Sequence, residues 1–114
     1  MKLKKILIVL IIIFLGVSLF AISIVYKKSH TFDSEAWNLN VDTRYKMVDS
    51  LVEQYNLIGQ SKEDILKLLG TKEVLSNNTE RIEYYISPGK GDPLFFGVYF
   101  NSEGFVAMYK VFEH

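Results

Sequence analysis

The chain contains no cysteine. This excludes disulfides, thiol catalysis and zinc–thiolate sites, and it excludes a lipid-modified cysteine behind the apolar N-terminal run. Histidine is nearly absent too, with only His30 and His114, one beside the apolar run and the other the last residue. No Ser-His-Asp set can be assembled from such positions. Glu63 and Asp64 are better explained as a helix start than as an acid/base pair. The stretch SPGKGDP, residues 87–93, lacks the spacing of a phosphate loop and lies between strand patterns rather than before a helix, so it reads as a turn. The sequence therefore predicts no enzyme, no cofactor and no metal site. Repeats and low-complexity tracts are also missing. Asn77-Asn78-Thr79 matches a glycosylation acceptor, which matters only in a eukaryotic secretory pathway.

Charge is missing from one long stretch. Residues 6–26, ILIVLIIIFLGVSLFAISIVY, carry none. As a helix this run extends about 31 Å, the thickness of a bilayer hydrocarbon core. Two readings compete. A cleaved signal peptide has a shorter apolar stretch and a small-x-small cleavage site. Here the run is longer and SLFAIS is a poor cleavage site, which favours a retained single-pass anchor. Lys2, Lys4 and Lys5 precede the run, and Lys27 and Lys28 follow it. That bias predicts a cytoplasmic amino terminus and an extracytoplasmic C-terminal domain at the cell membrane.

The remaining charge is unevenly spread. Residues 29–114 hold eight basic and thirteen acidic residues, a net charge of −5. An acidic domain is a poor nucleic-acid binder, because phosphate neutralisation needs clustered cations. The expected organisation is an anchor over 1–28, a linker over 29–41, and one small domain over 42–114.

Within that domain, Val41, Tyr45, Val48, Val52 and Tyr55 recur at helical spacing, predicting a helix over 43–55 with Asp42 as N-cap. Arg44, Lys46, Asp49 and Glu53 lie mostly off that stripe. The stretch LIGQSKEDILKLLG, residues 57–70, follows. It predicts a short helix with a Ser61/Asp64 capping box, a buried face of Ile65, Leu66, Leu68 and Leu69, and a stop at Gly70. The period then changes from 3.6 to 2. KEVLS, RIEYYIS, LFFGVYFN and FVAMYKVF read as strands, the last two joined by a Ser-Glu-Gly loop. The predicted fold class is α+β, an N-terminal transmembrane helix followed by two helices packed on a three- to four-stranded antiparallel sheet.

A regular hairpin around Ser102–Gly104 pairs Asn101 with Phe105, Phe100 with Val106, Val98 with Met108, Phe96 with Lys110 and Leu94 with Phe112. The opposite face then pairs Tyr99 with Ala107, Gly97 with Tyr109 and Phe95 with Val111. Both faces carry large apolar groups, and helices of this size cover one. The second face would hold Tyr85, Phe95, Tyr99, Phe105 and Tyr109. These five are the candidate partner-binding residues. The alternative is that Phe32, Trp37 and Leu39 fold back over them as core.

From Arg44 onward the arrangement resembles the small outer-membrane lipoprotein family SmpA/OmlA, or BamE-like. The matching pieces are LIGQSKEDILKLLG, RIEYYIS and LFFGVYFNSEGFV. The family pattern is a Gly-x-Ser/Thr start, a Leu-Leu-Gly helix end, a tyrosine-rich strand and a Phe-x-x-x-Gly-x-Val hairpin, and it spans about half of the chain. The resemblance implies a helix-helix-sheet fold in the bacterial envelope and a non-enzymatic role in protein assembly or binding. Two features depart from the family. No cysteine follows the apolar run, and Thr71-Lys72 stands where a proline often follows the glycine. The expected function is a membrane-anchored, non-catalytic envelope protein that binds an unknown protein partner in envelope assembly or maintenance. The competing expectation is a secreted inhibitor-like or ligand-binding module released by signal cleavage.

Overall fold

A computed structural model describes residues 2–114 and divides them into two compact units after His30. The first is helix α1, Lys2–His30, whose apolar side chains are all exposed. It is long and apolar enough to cross a membrane.

The second unit holds α2 (Ser34–Leu39), a 3₁₀ segment (Val41–Met47), α3 (Val48–Gln54), α4 (Lys62–Leu69) and four strands. These are β1 (Val74–Asn77), β2 (Arg81–Ser87), β3 (Leu94–Phe100) and β4 (Val106–Glu113). Each strand pairs antiparallel with the next, so the sheet order is β1-β2-β3-β4 and β4 is an edge. The α+β class expected from the sequence is the class observed.

Order begins earlier than a linker over 29–41 would allow. Asp33 caps α2 by accepting from the Ala36 N–H at 3.3 Å. Phe32 and Trp37 are buried in the main core, where the indole meets Tyr84 and Phe96 edge-on. They therefore pack on the helix-covered face of the sheet, not on the second face, and Leu39 is exposed. The idea that these three residues cover the second face is corrected.

The expected helix over 43–55 is two pieces. A 3₁₀ turn repeats every three residues, so Val41, Arg44 and Met47 share one face, and Arg44 and Met47 are buried. Asp42 is not the N-cap. Its carboxylate accepts the Tyr85 hydroxyl at 2.8 Å. Arg44 is the reason the segment turns this way. Its Nε donates to the Trp37 carbonyl at 2.7 Å, Nη1 to the Tyr85 carbonyl and Nη2 to the Lys72 carbonyl, each at 3.0 Å. The guanidinium also lies over the Trp37 ring. One side chain thus ties α2, β2 and the chain before β1. Burial pulls its pKa down, opposed by Tyr84 and Glu73.

Helix α4 follows the sequence closely. Ser61 Oγ accepts from the Asp64 N–H, the Asp64 carboxylate accepts from the Ser61 N–H, and Gly70 ends the helix with φ 74°. Ile65 and Leu69 are fully buried, while Leu66 and Leu68 are half-buried. A helix of eight residues cannot hold itself; its face packs into the same core as Trp37, Leu51 and Tyr84.

Candidate functional site: the β4 edge

The β3–β4 hairpin begins as expected. Phe100 pairs with Val106, and the Asn101 N–H donates to the Phe105 carbonyl. A bulge then intervenes. Tyr99 pairs with Met108, leaving Ala107 as the extra residue, and the pairs continue as Val98–Tyr109, Gly97–Lys110, Phe96–Val111, Phe95–Phe112 and Leu94–Glu113. Every residue of β4 beyond Ala107 therefore faces the side opposite to the one a regular hairpin would give it. The physical reason is Lys110. In the regular register its ammonium would lie opposite Phe96, which is fully buried, and burying an unpaired charge there is costly. With the bulge, Lys110 Nζ lies over the Tyr99 and Phe112 rings, 5.4 and 5.7 Å from their centroids.

The five candidate residues do not form one surface. Tyr85, Phe95 and Tyr99 share the second face. Tyr109 is on the helix side, paired with Val98 and near the Phe96 ring. Phe105 precedes β4 and bridges to Ser61.

The second face covers itself. The Tyr99 ring lies over Gly97 so closely that a Cβ there would sit 2.5 Å from the Tyr99 Oη. Tyr99 covers this glycine, and Tyr109, its partner in the regular register, does not. The same hydroxyl donates to Glu83 at 3.4 Å, and Arg81 pairs with that carboxylate at 3.5 Å. Partial burial and then Glu83 hold the Tyr99 pKa above its ordinary value. Phe95 is buried between Tyr85 and Phe112. No helix is needed over this face because rings, Glu83 and the Lys110 stem already fill it.

Exposed apolar area collects instead along β4. Phe105, Met108, Tyr109 and Val111 are 43, 47, 37 and 49 % exposed, on both sides of the strand. Met108 and Val111 were not singled out from the sequence, because the regular register hid them. The backbone edge is free over part of its length. At its start, the Val106 N–H and C=O turn outward and bond to the Gln60 carbonyl and the Gly59 N–H, both at 2.8 Å. At its end, the His114 N–H turns inward to the Pro93 carbonyl at 3.1 Å. Outward and inward groups alternate along an antiparallel strand. Tyr109, Val111 and Glu113 therefore aim their N–H and C=O away from the sheet.

An apolar-flanked strand edge can do one thing well, which is to accept another strand. Among the described residues no cluster of three His, Cys, Asp or Glu could hold a metal ion. Comparison of the chain with protein-family models, curated proteins and solved structures gives no match.

Proposed function

We propose that this is a single-pass, membrane-anchored envelope protein without catalytic activity that works by binding protein through the β4 edge. The observation that carries the reading is the exposure of Met108, Tyr109 and Val111 on both sides of a strand whose outer backbone groups are free over Tyr109–Glu113. Strand addition takes affinity from main-chain hydrogen bonds and specificity from alternate side chains. The anchor is α1, and the lysines flanking its apolar run support a cytoplasmic amino terminus and an extracytoplasmic domain. The resemblance to BamE-like domains points the same way, toward assembly or maintenance of the envelope.

The test is site-specific photo-cross-linking of the full chain in cells. A photoreactive side chain at Val111 is expected to form a protein adduct, and one at the exposed Asp49 on α3 is not. Tyr109→Lys should suppress the Val111 adduct while leaving the melting curve unchanged. No adduct from Val111 would overturn the reading.

A further inference from the structure

We infer that the strand received by β4 is β4 of a second copy of the same chain, antiparallel and centred on Val111. This rests on the edge being a protein-binding surface, and it adds the identity of the occupant.

The free groups belong to Tyr109, Val111 and Glu113. A two-fold axis through Val111 places Val111 opposite Val111 of the second copy, and Tyr109 opposite its Glu113. All three residues then pair through their outward N–H and C=O groups. On the helix side, valine meets valine and each tyrosine meets a carboxylate its hydroxyl can donate to. On the other side, Lys110 lies opposite Phe112, the ring it already approaches within its own chain at 5.7 Å. No like charges face each other.

Neighbouring registers fail. Centring on Lys110 sets two ammonium groups directly opposite, which is destabilising. Centring on Tyr109 requires Ala107 opposite Val111. There the bulge breaks the alternation, and the adjoining Val106 groups are already taken by Gly59 and Gln60. One register therefore satisfies backbone, charge and side chains together, and it is the isologous arrangement of a two-fold dimer.

The contact is short, and stable dimers in solution bury about 1,200–2,000 Å². The net charge of −5 on residues 29–114 also opposes association. Confinement of both copies to one membrane raises their effective concentration and offsets these terms.

The chain has no cysteine, so single cysteines report the register without background. In full-length protein in membranes, Val111→Cys should give a disulfide-linked dimer on oxidation, since facing Cα atoms lie about 5.5 Å apart. Tyr109→Cys and Glu113→Cys should each stay monomeric, because their own copies are about 13 Å apart. The double variant Tyr109→Cys/Glu113→Cys should cross-link. Val111→Pro removes only an outward N–H, so it should keep the melting temperature and abolish dimers detected by chemical cross-linking. A Val111→Cys protein that melts normally and remains monomeric overturns the inference, as does equal cross-linking at Tyr109. A photoreactive group at Val111 separates the two levels. An adduct with another protein only would refute the second copy and leave the binding edge, whereas no adduct would refute both.

Discussion

Arg44 Nε donates to the Trp37 carbonyl at 2.7 Å while its guanidinium lies 4.9 Å from the Trp37 ring centroid. The same residue thus holds both the backbone and the ring of Trp37. Arg44→Ala leaves three carbonyls without their donor and opens space beneath the indole. An orphaned buried acceptor costs about 1–3 kcal/mol. The Trp37 carbonyl is buried and the Tyr85 and Lys72 carbonyls part-buried, so the total should be a large fraction of the stability of a small domain, about 5–15 kcal/mol. Arg44→Lys should recover little, because a point ammonium cannot reproduce the planar fork. Urea unfolding of the two variants checks this. An Arg44→Lys protein as stable as the parent would sink the clamp.

Gly97 and Tyr99 should be coupled. Gly97→Ala forces the Tyr99 ring off the strand, a small-to-large change worth about 1–3 kcal/mol. Removing the ring first, with Tyr99→Ala, should make the same change milder. A double-mutant cycle by thermal unfolding should show a coupling of about 0.5 kcal/mol or more. Additive losses would mean that the ring does not cover the glycine.

The two helix features of α4 should differ in weight. Leu69→Ala removes a fully buried side chain and should cost about 2–5 kcal/mol. Ser61→Ala removes one half of the capping box and should cost about 1 kcal/mol. Leu68 is half-buried, so its truncation should fall between them. The order of the three melting temperatures is the measurement.

Alkaline pH should weaken the domain. Burial pushes the Tyr84 pKa well up, with Arg44 opposing, and Tyr99 is raised as described. A tyrosine raised in the folded state favours the neutral form there. Its contribution is complete below the unfolded value, about 10, and is lost as pH rises from there through the folded value. Tyr84→Phe deletes the hydrogen bond to the Gly70 carbonyl at 2.7 Å, so it should be less stable at neutral pH yet lose stability less steeply above pH 10. Urea midpoints across the alkaline range decide it.

The parts of the fold legible in the sequence were those set by short-range chemistry. The capping box of α4, the strand RIEYYIS and the loop before Phe105 each follow from a few adjacent residues. Arg44 is hidden in the sequence because it falls off the apolar stripe, and a lone cation among other charged residues looks solvated. The signal that could have found it is its three-residue spacing from Val41 and Met47, both apolar. The face on which Trp37 packs is not legible, because its partners, Tyr84 and Phe96, are distant in sequence. Of the β4 edge, Phe105 and Tyr109 are among the candidate residues but are assigned to the second face, while Met108 and Val111 are lost to the register.

The bulge at Ala107 acts on β4 as an inserted letter acts on a reading frame. A strand is decoded in twos, so everything downstream of one extra residue is translated to the other side. If Ala107 were paired with Tyr99 instead of bulged out, Met108, Lys110 and Phe112 would turn toward the helices. Tyr109, Val111 and Glu113 would then lose both their side and their outward backbone groups. The identity of the exposed edge is thus set by one exposed alanine left out of the ladder. Deleting Ala107 outright should leave the edge unchanged, because Met108 then follows Val106 and still pairs with Tyr99. It is the choice to bulge, not the length of the strand, that decides which side each residue shows.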